Sequence, residues 1–110
     1  MATTVITIRL DGNGPGIILN DGQSNGSDIT TNVQNGDTVK WKLLPNSGIS
    51  SLNGINDLTT DVFNPDPTKQ PDGSYQGTVA ATAGQEESYN VLYTIAGVKY
   101  YHDPKIHVNP

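Results

Sequence analysis

Two histidines, His102 and His107, are the side chains of this 110-residue chain best suited to hold a transition metal or move a proton. They stand five positions apart around Pro104, with Asp103 beside the first. Such a metal site would use both imidazoles, yet no third ligand stands at a usable spacing. If residues 105–109 form a strand, His107 shares a face with Lys105 and Asn109, while Ile106 and Val108 point inward. His107 is then expected on the solvated face and His102 at a loop rim. Asp103-Pro104 reads as a structural bend. The aspartate accepts turn amides, and the proline presets φ so that the chain is redirected into its last strand.

Oxygen chemistry has two candidate places. The loop Asp21-Gly-Gln-Ser-Asn-Gly26 has the alternating oxygens and the glycine of a calcium loop, with Asp21 and Asn25 as the candidate metal ligands. Gln23 holds the second ligand position, and Asn32 stands where a bidentate glutamate would close the site, so hydrophilic turn chemistry explains the loop as well. A sugar site would need an exposed aromatic wall flanked by donors and acceptors. Tyr75, Tyr100 and Tyr101 supply walls, and Asp57, Asp61 and Asn64 supply polar groups. Because Tyr100 and Tyr101 alternate faces along a strand, at least one of them belongs to the core.

Catalytic arrangements fare worse. Glu86 and Glu87 are adjacent, so a strand sends them to opposite faces and they cannot flank one bond. No Gly-x-Ser-x-Gly nucleophile turn occurs. Gly12, Gly14 and Gly16 follow a strand, but no helix start comes after them to hold a phosphate. The chain is expected not to be an enzyme, and no cofactor is called for.

The elements that must carry these residues are strands. Ile6, Ile8 and Leu10 alternate with Val5, Thr7 and Arg9, and the run Thr38 to Leu44 places Val39, Trp41 and Leu43 on one face. Tyr89, Val91, Tyr93 and Ile95 form the second clear alternation. Ile29, Thr31 and Val33 suggest a strand that ends at the tight-turn pair Asn35-Gly36. Residues 49–55 read as an irregular edge strand, and Tyr75, Gly77 and Val79 as a further strand. Three prolines make residues 61–73 a long loop with Phe63 pinned in the core. With 12 Gly, 7 Pro and 34% apolar residues, the chain suits an all-β sandwich of seven to eight strands forming one domain over residues 1–110. Trp41, Val39, Tyr93, Ile95, Ile106 and Val108 are the expected core.

The net charge of −5, with six scattered basic residues, gives no cluster to displace counterions from phosphates. Nucleic acid is therefore not an expected partner. No apolar run approaches the ~20 residues of a membrane span. The absence of cysteine removes thiolate chemistry, and with no charged leader ahead of an apolar segment the default expectation is cytoplasmic residence.

Two segments resemble the cupredoxins, the blue-copper domains. Asn35-Gly-Asp-Thr-Val-Lys-Trp41 is similar to the Gly-Asp-x-Val-x-aromatic entry into the strand before the first copper histidine. Gly97-Val-Lys-Tyr-Tyr-His-Asp-Pro-Lys-Ile-His-Val108 resembles the tyrosine–Cys–x–Pro–His run into the last strand. The resemblance implies a Greek-key sandwich and a metal site that this chain does not complete. The first histidine falls near Gly48 or Ile49, His102 stands at the cysteine and Lys105 at the second histidine. Met1 is the only methionine. A blue site needs a thiolate and two imidazoles, so its copper chemistry and electron transfer are excluded. What the likeness leaves is a copper-free, noncatalytic module for binding, structure or assembly, and its partner stays open among another protein, a second copy and a carbohydrate. The rival expectation is calcium or carbohydrate binding by the loops at one end.

Overall fold

The protein is described by a computed structural model covering residues 3–11, 16–22, 25–26, 29–57, 62–64, 67–81 and 83–108. Among these residues there is no helix, only strands and turns. The strands are β1 (Thr3–Leu10), β2 (Ile17–Asn20), β3 (Asn25–Gly26), β4 (Thr30–Val33), β5 (Thr38–Leu43) and β6 (Ser51–Asp57). They continue with β7 (Thr68–Lys69), β8 (Tyr75–Thr78), β9 (Glu86–Ile95), β10 (Val98–His102) and β11 (Lys105–Val108).

They build two mixed sheets, as in a β-sandwich. The first runs β3-β2-β1-β5-β8-β7; the second runs β10-β9-β11-β4, with β6 also paired to β9. Each sheet contains one parallel pair, β1 with β5 and β4 with β11; the other pairs are antiparallel. The turn at Asn35-Gly36 forms as the residue types predict: Gly36 sits at φ 92° and Asp37 N–H donates to Gln34 O at 3.0 Å. It does not close a hairpin. It carries the chain from β4 in one sheet to β5 in the other.

The period-two alternation fills the space between the sheets. Ile6 and Ile8 of β1, Val39 and Trp41 of β5, Tyr89, Val91 and Tyr93 of β9, and Ile106 and Val108 of β11 are all buried. Ile95, expected in the core, is only half-buried at its margin, because β9 is running out toward its turn there. Trp41 is the centre. Its ring lies 5.5 Å from both Phe63 and Tyr89 in edge-on contacts, and its Nε1–H donates to the Tyr89 hydroxyl at 3.1 Å. That bond satisfies both polar tips inside an apolar volume, which is what allows two such large side chains to be buried together.

Phe63 is held by a single bridge to Val79, so the proline-rich stretch does insert its one aromatic into the core. Close packing there needs Gly77: a Cβ at that position would lie 3.0 Å from Pro67 Cγ and 3.1 Å from Phe63 Cδ1. The irregular segment before residue 57 becomes β6, with its register shifting between Leu52 and Gly54.

The last two strands differ from expectation in one respect. Ala96 and Gly97, at φ 49° and 83°, make a two-residue turn with both centres in the left-handed region, the form that suits a twisted hairpin. From there Val98 faces Ile95, His102 faces Val91, Lys105 faces Ser88 and His107 faces Glu86. Every step forward on one strand is matched by one step back on the other, straight through Asp103-Pro104. That pair does not redirect the chain. It is a short break in one long ladder, where proline has no amide to give and Pro104 O still accepts the Tyr89 N–H at 3.1 Å.

Candidate functional site

The continuous register decides the histidine question. His102 and His107 lie on opposite faces of the same ribbon, since alternate residues of a strand point opposite ways. His107 is on the outer face of β11, as expected, with Nδ1 3.7 Å from Glu86 Oε2 across the strand. His102 is within β10 rather than at a loop rim, on the inward side with Val98 and Tyr100. Lys105 is exposed on the outer face. Asp103 lies in a break of the ladder where the chain makes no turn, so the turn role expected of it is not formed.

The two calcium-loop candidates are also separated. Asp21 is half-buried in a cleft of about 330 Å³ that it shares with Thr3, Thr4, Val5, Gly22, Thr31 and Asn32. Asn25 is exposed in β3, opposite Asn20, and lines a different cleft of about 180 Å³. Between the strands Asn20 Oδ1 accepts the Gly22 N–H at 2.8 Å, a local turn bond. Among the described residues no three His, Asp or Glu side chains gather as a metal would require.

The sugar candidates fall on different surfaces. Tyr75 is buried, because it pairs with Trp41 across β5 and β8 and so faces the core. Asn64 is exposed, and its backbone N–H donates to Thr78 O at 2.9 Å. Asp61 lies outside the described residues, as does the side chain of Asp57. Tyr100 stacks on Tyr93, with centroids 5.8 Å apart and planes 25° from parallel. Tyr101 is 69% exposed on the outer face, opposite Leu92.

One polar feature escaped the sequence reading. Glu87 is fully buried, in phase with Tyr89, Val91 and Tyr93 on the inward face of β9. Its position was legible in that alternation, but its charge argued for the surface. Across the second sheet, Glu87 and Thr31 flank Ile106 in one row. Thr31 is buried, and its Oγ1 has no hydrogen-bond partner. The Tyr89 hydroxyl is held well above the usual phenol range, first by burial and then by the negative charges of Glu87 and Asp21, against the opposing hydrogen bond from Trp41. Asp21 and Thr31 both line the cleft of about 330 Å³ at this end of the sandwich.

A third cleft, about 310 Å³, is lined by Lys42, Leu43, Leu52, Lys69, Asp72 and Ser74 among others. Asp72 serves a turn there. It accepts from the Ser74 hydroxyl and from Ser74 N–H at 2.9 Å, bonds that lower its carboxyl to about 2, with Lys40 at 3.4 Å adding to the effect.

The remaining feature is main chain. Tyr89 N–H donates to Pro104 O, and Val108 N–H donates to Gln85 O. These bonds set the ladder parity, so the amides and carbonyls of residues 98, 100 and 102 turn toward β9. Those of Lys99, Tyr101 and Asp103 turn the other way. At residue 105 that outer edge is taken: Lys105 N–H donates to Ile29 O at 3.1 Å, and β4 runs alongside β11. Beside β10 no described strand pairs, and Lys99, Tyr101 and Asp103 are all exposed. Compared with family models and with curated proteins, the chain matches none. Among the described residues no helix is long and apolar enough to cross a membrane.

Proposed function

We propose that this chain is a noncatalytic, copper-free assembly module of cupredoxin-like, Greek-key design, working through main-chain and surface contacts. The observation that carries this reading is the outer edge of β10, along which no described strand pairs. It offers the main-chain groups of three consecutive outward positions, Lys99, Tyr101 and Asp103, all exposed. An open edge of this kind is a template for another strand. The dispersal of the candidate chemical groups supports the same reading: His102 and His107 occupy opposite faces, Asp21 and Asn25 different clefts, and Tyr75 the core. The cupredoxin-like part of the proposal rests on the resemblance of the Asn35–Trp41 and Gly97–Val108 segments.

A second reading, calcium binding, is favoured by one observation. The buried Thr31 hydroxyl lacks a partner and lines the cleft that holds Asp21. A thermal-shift series separates the two readings, since a ligand that binds the folded state raises its melting temperature. The assembly reading expects no rise with calcium, copper, zinc or simple sugars. A rise with calcium that is lost in Asp21→Asn would replace it with the calcium reading.

A further inference from the structure

We propose that the β10 edge recognises itself: two copies pair antiparallel along Lys99–Asp103, centred on Tyr101, and continue the second sheet across a twofold axis. This inference rests on the assembly reading and names its partner, a second copy of the chain.

The parity of the ladder selects the pairing. Only residues 99, 101 and 103 direct their amides and carbonyls outward, so they must form the hydrogen-bonded pairs of any antiparallel neighbour. With Tyr101 opposite the partner's Tyr101, Lys99 falls opposite the partner's Asp103, and the same contact recurs on the other side of the axis. These residues share the exposed outer face. Two tyrosine rings then meet at the centre with an opposite-charge pair on each flank, the kind of cross-strand contact that stabilises a sheet. A twofold interface must be self-complementary in this manner.

Length agrees with charge. In this register Pro104 lies opposite the partner's Val98. One residue further, Lys105 is already bonded to Ile29, and the partner's strand has reached Gly97 of its turn. Among the described residues the open edge is as long as the strand that would fill it. At its closed end lies a cleft of about 230 Å³ lined by Ile29, Thr30, Asp103, Pro104 and Lys105. The partner's Val98, 53% exposed in the single chain, would be carried next to that cleft. Moving the register two residues one way drives the partner strand into β4. Moving it two residues the other way puts turn residue Gly97 opposite Asp103 and parts Lys99 from its carboxylate. Lys99 also discourages pairings that would bring it against its own copy, the usual service of an edge lysine.

Sedimentation equilibrium from about 10 µM to about 1 mM is the test, a range wide enough to capture weak association. The wild-type protein is expected to pass from monomer to a closed dimer. Lys99→Glu or Asp103→Lys alone sets like charges opposite each other twice, and each should weaken dimerisation about tenfold. The double variant K99E/D103K restores the opposite pairs and should return to within about threefold of wild type, which a merely misfolded protein would not do. Tyr101→Pro removes the central amide, which the chain's own ladder does not use, and should abolish the dimer. A wild-type protein that stays monomeric throughout the range would overturn the proposal. So would a dimer indifferent to all four variants, although the assembly reading would then stand on another face.

Discussion

The two halves of the final strand share one partner and one register, yet they live in different environments. β11 pairs with β9 on one edge and β4 on the other, and its inward residues Ile106 and Val108 are fully buried. β10 pairs with the same β9 in the same phase, but its other edge is uncovered by any described strand, and Val98 and Tyr101 remain largely exposed. Intrinsic strand preference cannot account for the contrast, since Val-Lys-Tyr-Tyr is as good a strand sequence as Lys-Ile-His-Val. What differs is the neighbour. Among the described residues, Ile29 O meets this edge at Lys105 N–H and β4 covers it from Lys105 onward.

The strongest way to break the comparison is to empty each half in turn. Ile106→Ala should cost about 2–5 kcal/mol, the usual range for a buried aliphatic truncation, whereas Tyr101→Ser should change monomer stability by no more than about 0.5 kcal/mol. Chemical denaturation measured at low protein concentration reads both. Equal losses would erase the distinction between a covered and an open half.

Next in size is the polar contact at the foot of the covered half. Tyr89→Phe leaves the buried Trp41 Nε1–H without its acceptor, which should cost about 1–3 kcal/mol. The same residue sets an alkaline limit. Its folded phenol is held above the ordinary value, so its contribution is complete below pH ~10, the unfolded value, and is lost as pH rises above it because the unfolded chain ionises first. Tyr89→Phe should therefore flatten the fall in stability at high pH. Titration of the wild type should show one tyrosine that gains its ultraviolet tyrosinate band only on unfolding.

The hairpin turn gives a smaller effect on the open half. Ala96 sits at φ 49°, where asparagine is better tolerated, and Ala96→Asn should stabilise by about 0.5 kcal/mol. A thermal melt compares the two directly, and a destabilised variant would argue against the left-handed turn. The smallest effect is acid sensitivity at the Asp72 turn. This carboxyl lies below its usual value, so its contribution is complete above pH ~4 and is lost as pH falls toward about 2. Asp72→Asn should show a slightly gentler acid limb in a pH series of melts and otherwise behave as wild type.

Much of the sandwich was legible because a half-buried strand writes its burial into a period of two. Trp41, Val39, Tyr93, Ile106 and Val108 could be placed from that pattern alone, and Phe63 from being the one large apolar group in a proline-rich run. Glu87 was hidden by its type: the alternation put it inside, and its charge argued for outside. Tyr75 was hidden by its chemistry, since a tyrosine serves equally as a sugar platform or as a wall beside Trp41, and only the β5–β8 pairing distinguishes them. Asp103-Pro104 carried a turn signal, but the long register on either side outweighed it. The open edge of β10 could not be read at all, because edge status depends on which distant strand arrives to pair.

Amide hydrogen exchange, resolved by residue, tests the central claim most directly. In dilute monomer, the amides of Lys99, Tyr101 and Asp103 are predicted to exchange fast while those of Tyr100 and His102 are protected by β9; raising the concentration should slow the first three selectively. If Lys99, Tyr101 and Asp103 are as protected as Tyr100 and His102 in the dilute monomer, the edge is already covered and the account is contradicted.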